Sequence, residues 1–182
     1  MQKTITLDST KSKTEIISYR ILKIILFASL TIVGAKIEIP AYPVPFTLQT
    51  LFVLLSGAFL GKKDGFYAQV IYLIIGIIGL PVFTGPIVGI AKLFGPTGGY
   101  LLSFPLAAYI TGFFFKKDAS NLTLLNGAVL STFTIYLFGV LHLTLFYTHN
   151  FYEAVISGLA IFSLWEIVKL IATVCIFKKL KT

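Results

Sequence analysis

Of 182 residues, 57% are hydrophobic and 12% are charged, against about half and about a quarter in an average soluble domain. One domain of this size has too little interior to hide so much apolar surface, which excludes a water-soluble globular fold and leaves lipid as the surrounding medium. The net charge of +8 falls in short clusters between long apolar runs and not along one face, a pattern of membrane topology and not of nucleic-acid binding.

Residues 1–15, MQKTITLDSTKSKTE, are polar and have no apolar core before a small-residue cleavage site. They read as a cytoplasmic tail and not as a secretory signal. Residues 16–182 read as a single all-α membrane domain. A hydrocarbon core of about 30 Å takes roughly 17 to 25 helical residues, and runs near that length predict six spans at 16–35, 44–60, 65–82, 99–115, 122–146 and 152–177. The intervening segments GAKIEIPAYP, GKKDG, TGPIVGIAKLFGPTG, KKDAS and YTHNF carry the Gly, Pro and polar residues that interrupt apolar helices.

Six crossings put Lys3, Lys11, Lys13, Arg20, Lys23, Lys62, Lys63, Lys116, Lys117, Lys178, Lys179 and Lys181 on one face. Only Lys36 and Lys92 fall on the other, and Lys169 lies within a span. Cations are retained on the cytoplasmic side, so both termini are expected inside a plasma (inner) membrane. The outer segments 35–45 and 81–98 are long and rich in Gly and Pro, material for a lid. No internal repeat is present, unlike many secondary transporters.

Two ionisable residues, Glu166 and Lys169, lie within the last apolar run. Each charge costs about 2.5 to 3.5 kcal/mol in a span on insertion scales, so such residues face the protein interior and bear on function. Their i, i+3 spacing puts an acceptor and a donor on one helix face, suited to a small polar ligand or to a structural ion pair. Gly95-Pro96-Thr97-Gly98-Gly99-Tyr100 opens the fourth span, where glycines allow close backbone approach to a ligand or simply make a tight turn. It lacks the Gly-Lys-Ser/Thr ending of a nucleotide loop, so the chain is not expected to use ATP itself.

PVPFTLQT (43–50) opens the second span with two prolines and the amide of Gln49; Gln69 offers another amide in the third. Such amides serve helix packing or a ligand. His142 in the fifth span reads as a packed, hydrogen-bonded residue, because no second ligand stands at metal spacing. Cys175, the one cysteine, reads as a buried, inert thiol. No catalytic motif appears, so no enzyme is expected.

The order PVPFTLQTLFVLLSGAFLG, GLPVFTG, GPTGGYLLSFPLAAYITG and E-x-x-K closely resembles the BioY family, the biotin-capturing S components of energy-coupling factor (ECF) transporters. The likeness covers roughly residues 34–172. It implies a six-helix subunit that binds biotin from outside and works with a transmembrane coupling protein and two ATPase subunits that use the ATP. It also implies substrate-binding roles for Glu166, Lys169, Thr84, Gly98, Gly99, Tyr100 and Gln49. Family S components meet the coupling protein through small residues of the first helix, a place held here by Ala28, with Ile24 four residues earlier. Three positions depart from the pattern: Glu166 stands for Asp, Leu164-Trp165 for Pro-Gly, and Ile87 for a polar residue. An S component for another vitamin, an intramembrane enzyme using Glu166 as base, and a membrane scaffold are the alternative readings.

Overall fold

The computed structural model describes residues 13–160 and 163–181. Most of the tail expected at 1–15, with Lys3 and Lys11, lies outside the described residues. The first helix, α1 (Lys13–Lys36), starts at the end of that tail, with Glu15 in its first turn and Lys36 in its last, charges that complement the helix dipole. Only 17% of its most apolar stretch is buried, so most of its surface faces outward.

A short ribbon follows: β1 (Glu38–Ile39) pairs antiparallel with β2 (Phe46–Thr47). The expected all-α chain therefore carries one small β element, and the expected second span is shortened at its start. The prolines at 40, 43 and 45 disfavour helix there, since each removes an N–H donor and restricts its predecessor. The second span becomes α2 (Gln49–Leu60) and the third α3 (Lys62–Ile77). The chain turns between them at Gly61, whose φ of +81° suits glycine. Gly57 of α2 lies against Gly65 of α3 and against the Ala108 carbonyl of the fifth helix, so three backbones meet with no side chain between them.

After the outer loop and one helical turn, α4 (Ala91–Phe94), the fifth helix α5 spans Gly98–Phe114 with Pro105 inside it. Proline has no N–H to offer the carbonyl one turn earlier, that of Leu101, so the helix loses one internal bond there. Next, α6 (Asn121–Leu143) begins at Ser120, whose hydroxyl accepts from Thr123 N at 3.1 Å, a standard N-cap. It continues as a π-helical turn through Thr148. Thr111 of α5 donates to Ser131 of α6 at 2.8 Å.

The expected sixth span, 152–177, carries a π-helical turn. Asn150 caps a short α7 (Phe151–Val155), the π-helical turn follows at Ile156–Ala160, and α8 is described over Ser163–Lys181. Hydropathy does not report this turn because Ile-Ser-Gly-Leu-Ala is apolar enough to read as span, while its hydrogen bonding has shifted out of α register. Glu166 of α8 lies near the same end of the bundle as the starts of α2 and α5.

Polarity is arranged inside out. Thr31, Ser56, Gln69, Ser103, Thr111, Ser131 and Thr173 are completely buried, whereas Ile, Leu, Phe and Tyr side chains cover the outside. That distribution suits lipid, where interhelical hydrogen bonds stabilise the bundle and apolar side chains need no burial. The α1–α3 contact is an example: Gln69 Nε2 donates to Thr31 at 3.2 Å and to Ser56 at 3.0 Å. Cys175 is exposed, correcting the expectation of a buried thiol; it occupies the outward face of α8.

Candidate functional site

The start of α2, the N-terminal half of α5, the middle of α6 and α8 line a partly open cavity of about 50 Å³. Glu166 and Lys169 reach it from α8, where they are 5% and 4% exposed, and they form an ion pair one turn apart. The Lys169 ammonium also donates to Thr50 Oγ1 at 2.6 Å and to the Thr47 carbonyl at 3.0 Å. An ammonium has three N–H groups, and all three are thus spent on protein. The ring of Phe46 lies 4.3 Å below the same nitrogen, a favourable contact for a desolvated cation.

Glu166 receives the other half of this arrangement. Thr50 donates onward to it at 3.1 Å, and the Tyr136 hydroxyl of α6 is its hydrogen-bond partner too. Two carboxylate oxygens offer about four acceptor sites; Thr50 is shared between them, at 3.1 and 3.4 Å, and the three donors among the described residues leave capacity for one more N–H. The site therefore holds a fixed anion with a free acceptor position beside a fixed and saturated cation.

The α5 wall and outer loop complete the cavity with a different chemistry. Thr84 and Thr97 line it with buried hydroxyls that have no hydrogen-bond partner among the described residues. An unsatisfied buried hydroxyl costs stability, and two of them facing one cavity are chemically able to serve a polar ligand. Between the two walls run Phe46, Leu101, Phe104 and Ile135, which offer only apolar contact. The loop carrying Thr84 is pinned from α1, because Lys36 donates to the Phe83 carbonyl at 2.8 Å. Lys92 of α4 is buried beside Gly85. Burial draws its ammonium below the ordinary lysine range, an effect that Glu38 opposes and Lys36 reinforces.

Five of the residues expected from sequence, Glu166, Lys169, Thr84, Tyr100 and Gln49, meet around this cavity. Gln49 is already engaged, accepting from Thr47 Oγ1 at 3.1 Å and donating to the Tyr72 hydroxyl; it shapes the wall more than it offers itself. Gly98 and Gly99 have another place. A β-carbon on Gly98 would strike the Leu93 carbonyl and the His142 ring, and one on Gly99 the Phe138 carbonyl. They let α5 close on α6 and α4 instead of opening backbone to a ligand. His142 is packed as expected, its Nε2 3.0 Å from the Leu93 carbonyl. Ala28 is buried in the chain's own core, so this conformation turns it away from any partner surface. Thr50, Thr97 and Tyr136 are the additions. Thr50 lay within the PVPFTLQT motif, but nothing local in the sequence separates these hydroxyls from packing residues.

The BioY family model matches residues 4–182. A biotin transporter BioY from Thermotoga maritima is 41% identical over 162 residues, covering 89% of this chain and 95% of the relative. A probable biotin transporter BioY from Pyrococcus horikoshii is 43% identical over 156 residues, covering 86% and 92%. The fold superimposes with a TM-score of 0.82 on the crystal structure of the S-component for biotin from an ECF-type ABC transporter, at 25% identity and covering 93% and 94% of the two chains. On sequence and fold together, this chain belongs to the BioY family.

Proposed function

We propose that the chain captures biotin in the Glu166–Lys169 cavity and delivers it into the cell as the S component of an ECF transporter. The observation that carries the site is the single free acceptor position on a buried carboxylate whose charge is already balanced. Biotin's ureido ring presents two N–H donors and a carbonyl at one end, an apolar bicycle and tail, and a carboxylate at the other. The ureido N–H meets Glu166 in a charge-assisted bond, the bicycle and tail lie along Phe46, Leu101 and Phe104, and the carboxylate turns toward Thr84 and Thr97. Lys92 behind that loop supplies positive charge for the anionic end. A neutral ring with no N–H in this place would leave the acceptor unpaired, which is the basis of selectivity.

The chain is read as crossing the plasma membrane six times, with both ends on the lysine-rich face. That orientation sets the cavity toward the outside and the GKKDG and KKDAS turns toward an energising module. A transmembrane coupling protein and two ATPase subunits are the expected partners, and ATP is hydrolysed there. Titration of the purified chain with biotin tests the reading: saturable binding is expected, with competition by biotin and not by analogues that lack a ureido N–H. Saturable binding of a different vitamin without competition by biotin would overturn it.

A further inference from the structure

The lysine-rich end of the bundle is not uniform. Arg20 is held by Asp64 at 2.5 Å, and Lys181 reaches the Ala58 and Phe59 carbonyls at 3.4 Å. Lys62 and Lys116 differ. Among the described residues neither forms an ion pair, yet both stand over one ring: Lys62 Nζ is 5.7 Å and Lys116 Nζ 5.6 Å from the centre of Phe113. Lys62 is also 5.9 Å from the centre of Tyr109. These two cations come from separate turns, Lys62 beginning α3 and Lys116 following α5, and both lie within reach of one ring.

Beside Phe113 opens a shallow cleft of about 400 Å³ lined by Lys116, Phe114 and Thr123. Asp118 lines it as well but pairs with neither lysine among the described residues. From the same point a stripe of exposed apolar residues, Leu102, Leu106, Tyr109 and Phe113, runs along α5. Their spacing of three to four residues places them on one helix face. A double positive charge at one end of an apolar track matches one molecule in a membrane: a phospholipid with an anionic head.

We infer that Lys62 and Lys116 seat one anionic phospholipid, its phosphate between the two ammoniums and an acyl chain along Leu102, Leu106, Tyr109 and Phe113. Basic pockets at the membrane face recognise such heads, and each Lys near the surface adds attraction toward anionic lipid. Phe113 has two tasks here: it orients both ammoniums through its face and begins the acyl track. Because Lys62 and Lys116 lie on the turns that link α2 to α3 and α5 to α6, a bound lipid tethers the two turns to each other.

Native mass spectrometry of the full chain, released from detergent micelles doped equally with phosphatidylglycerol and phosphatidylcholine, tests this. One phosphatidylglycerol retained per chain in preference to phosphatidylcholine is expected. The Lys62→Gln/Lys116→Gln variant should lower that affinity about thirtyfold, since two surface cations are lost. Lys62→Arg/Lys116→Arg should keep it, and Lys178→Gln/Lys179→Gln should leave it unchanged. Equal retention of the two lipids, wild-type retention by the Gln pair, equal loss in the Arg pair, or equal loss in the Lys178/Lys179 pair would each overturn the assignment.

Discussion

Thr50 of α2 stands between the two charges of α8: its Oγ1 accepts from Lys169 at 2.6 Å and donates to Glu166 at 3.1 Å. One hydroxyl thereby ties α2 to α8 and fixes the direction in which the remaining acceptor of Glu166 points. The two helices that bound the cavity are coupled through the group proposed to meet the ligand.

The buried pair gives the first prediction. Removing one partner of a buried ion pair leaves an uncompensated charge and costs about 3–5 kcal/mol. Lys169→Met should therefore lower the thermal unfolding midpoint in detergent markedly, and Glu166→Gln/Lys169→Met should recover much of that loss. The double variant should still fail to bind biotin. Recovery of binding along with stability would show that the pair only packs the helices.

Thr84 offers a sharper separation of structure from ligand. Its buried hydroxyl has no partner among the described residues, so Thr84→Val removes an unsatisfied group and should leave stability unchanged or raise it. Biotin affinity should fall about three- to tenfold, the worth of one hydrogen bond of about 0.5–1.5 kcal/mol. Isothermal titration alongside thermal unfolding reads both. Stability and affinity falling together would assign Thr84 to the fold.

Tyr42, in the loop from which Val44 and Pro45 line the cavity, meets Tyr147 of the α6 extension hydroxyl to hydroxyl. If that contact holds the loop over the cavity, Tyr42→Phe should speed biotin dissociation by up to about tenfold, again the range of one hydrogen bond, with little change in unfolding midpoint. Stopped-flow dissociation of a fluorescent biotin conjugate measures it. An unchanged off-rate would relieve the loop of that role.

Gly57 carries the packing of α2, α3 and α5. Gly57→Ala drives a methyl into the Ala108 carbonyl, a backbone atom that cannot turn aside, and overpacking of this kind costs about 1–3 kcal/mol. A lowered unfolding midpoint is expected, with weaker biotin binding because α2 and α5 both wall the cavity. A midpoint equal to the parent's would mean that the helices part without cost.

What the sequence made legible follows from which forces leave a local signature. Glu166 and Lys169 stand out because charge is costly in an apolar run, and their spacing announces a shared face. Thr50, Thr97 and Tyr136 are silent, since a hydroxyl in an apolar helix looks the same whether it faces a ligand or a neighbouring helix. Gly98 and Gly99 were read as ligand-approaching backbone and turned out to admit α6, because glycine reports close approach without naming what approaches. The π-helical turn at Ile156–Ala160 was invisible to hydropathy, because its residues are apolar like their neighbours. Ala28 and Cys175 show the same limit from the other side: helix rotation decides which face is inward, and uniformly apolar helices carry little record of it.

The central claim is that Glu166 receives a ureido N–H. The direct measurement is a double cycle of affinities: the parent chain and Glu166→Gln, each titrated with biotin and with an analogue methylated on one ureido nitrogen. A charge-assisted bond contributes about 1.5–3 kcal/mol. For the nitrogen that meets Glu166, the parent should therefore favour biotin by at least about tenfold, a difference of about 1.4 kcal/mol, and Glu166→Gln should lose most of that preference. If Glu166→Gln bound biotin as tightly as the parent, or kept the full preference with either nitrogen methylated, the carboxylate would not be the group that reads the ring.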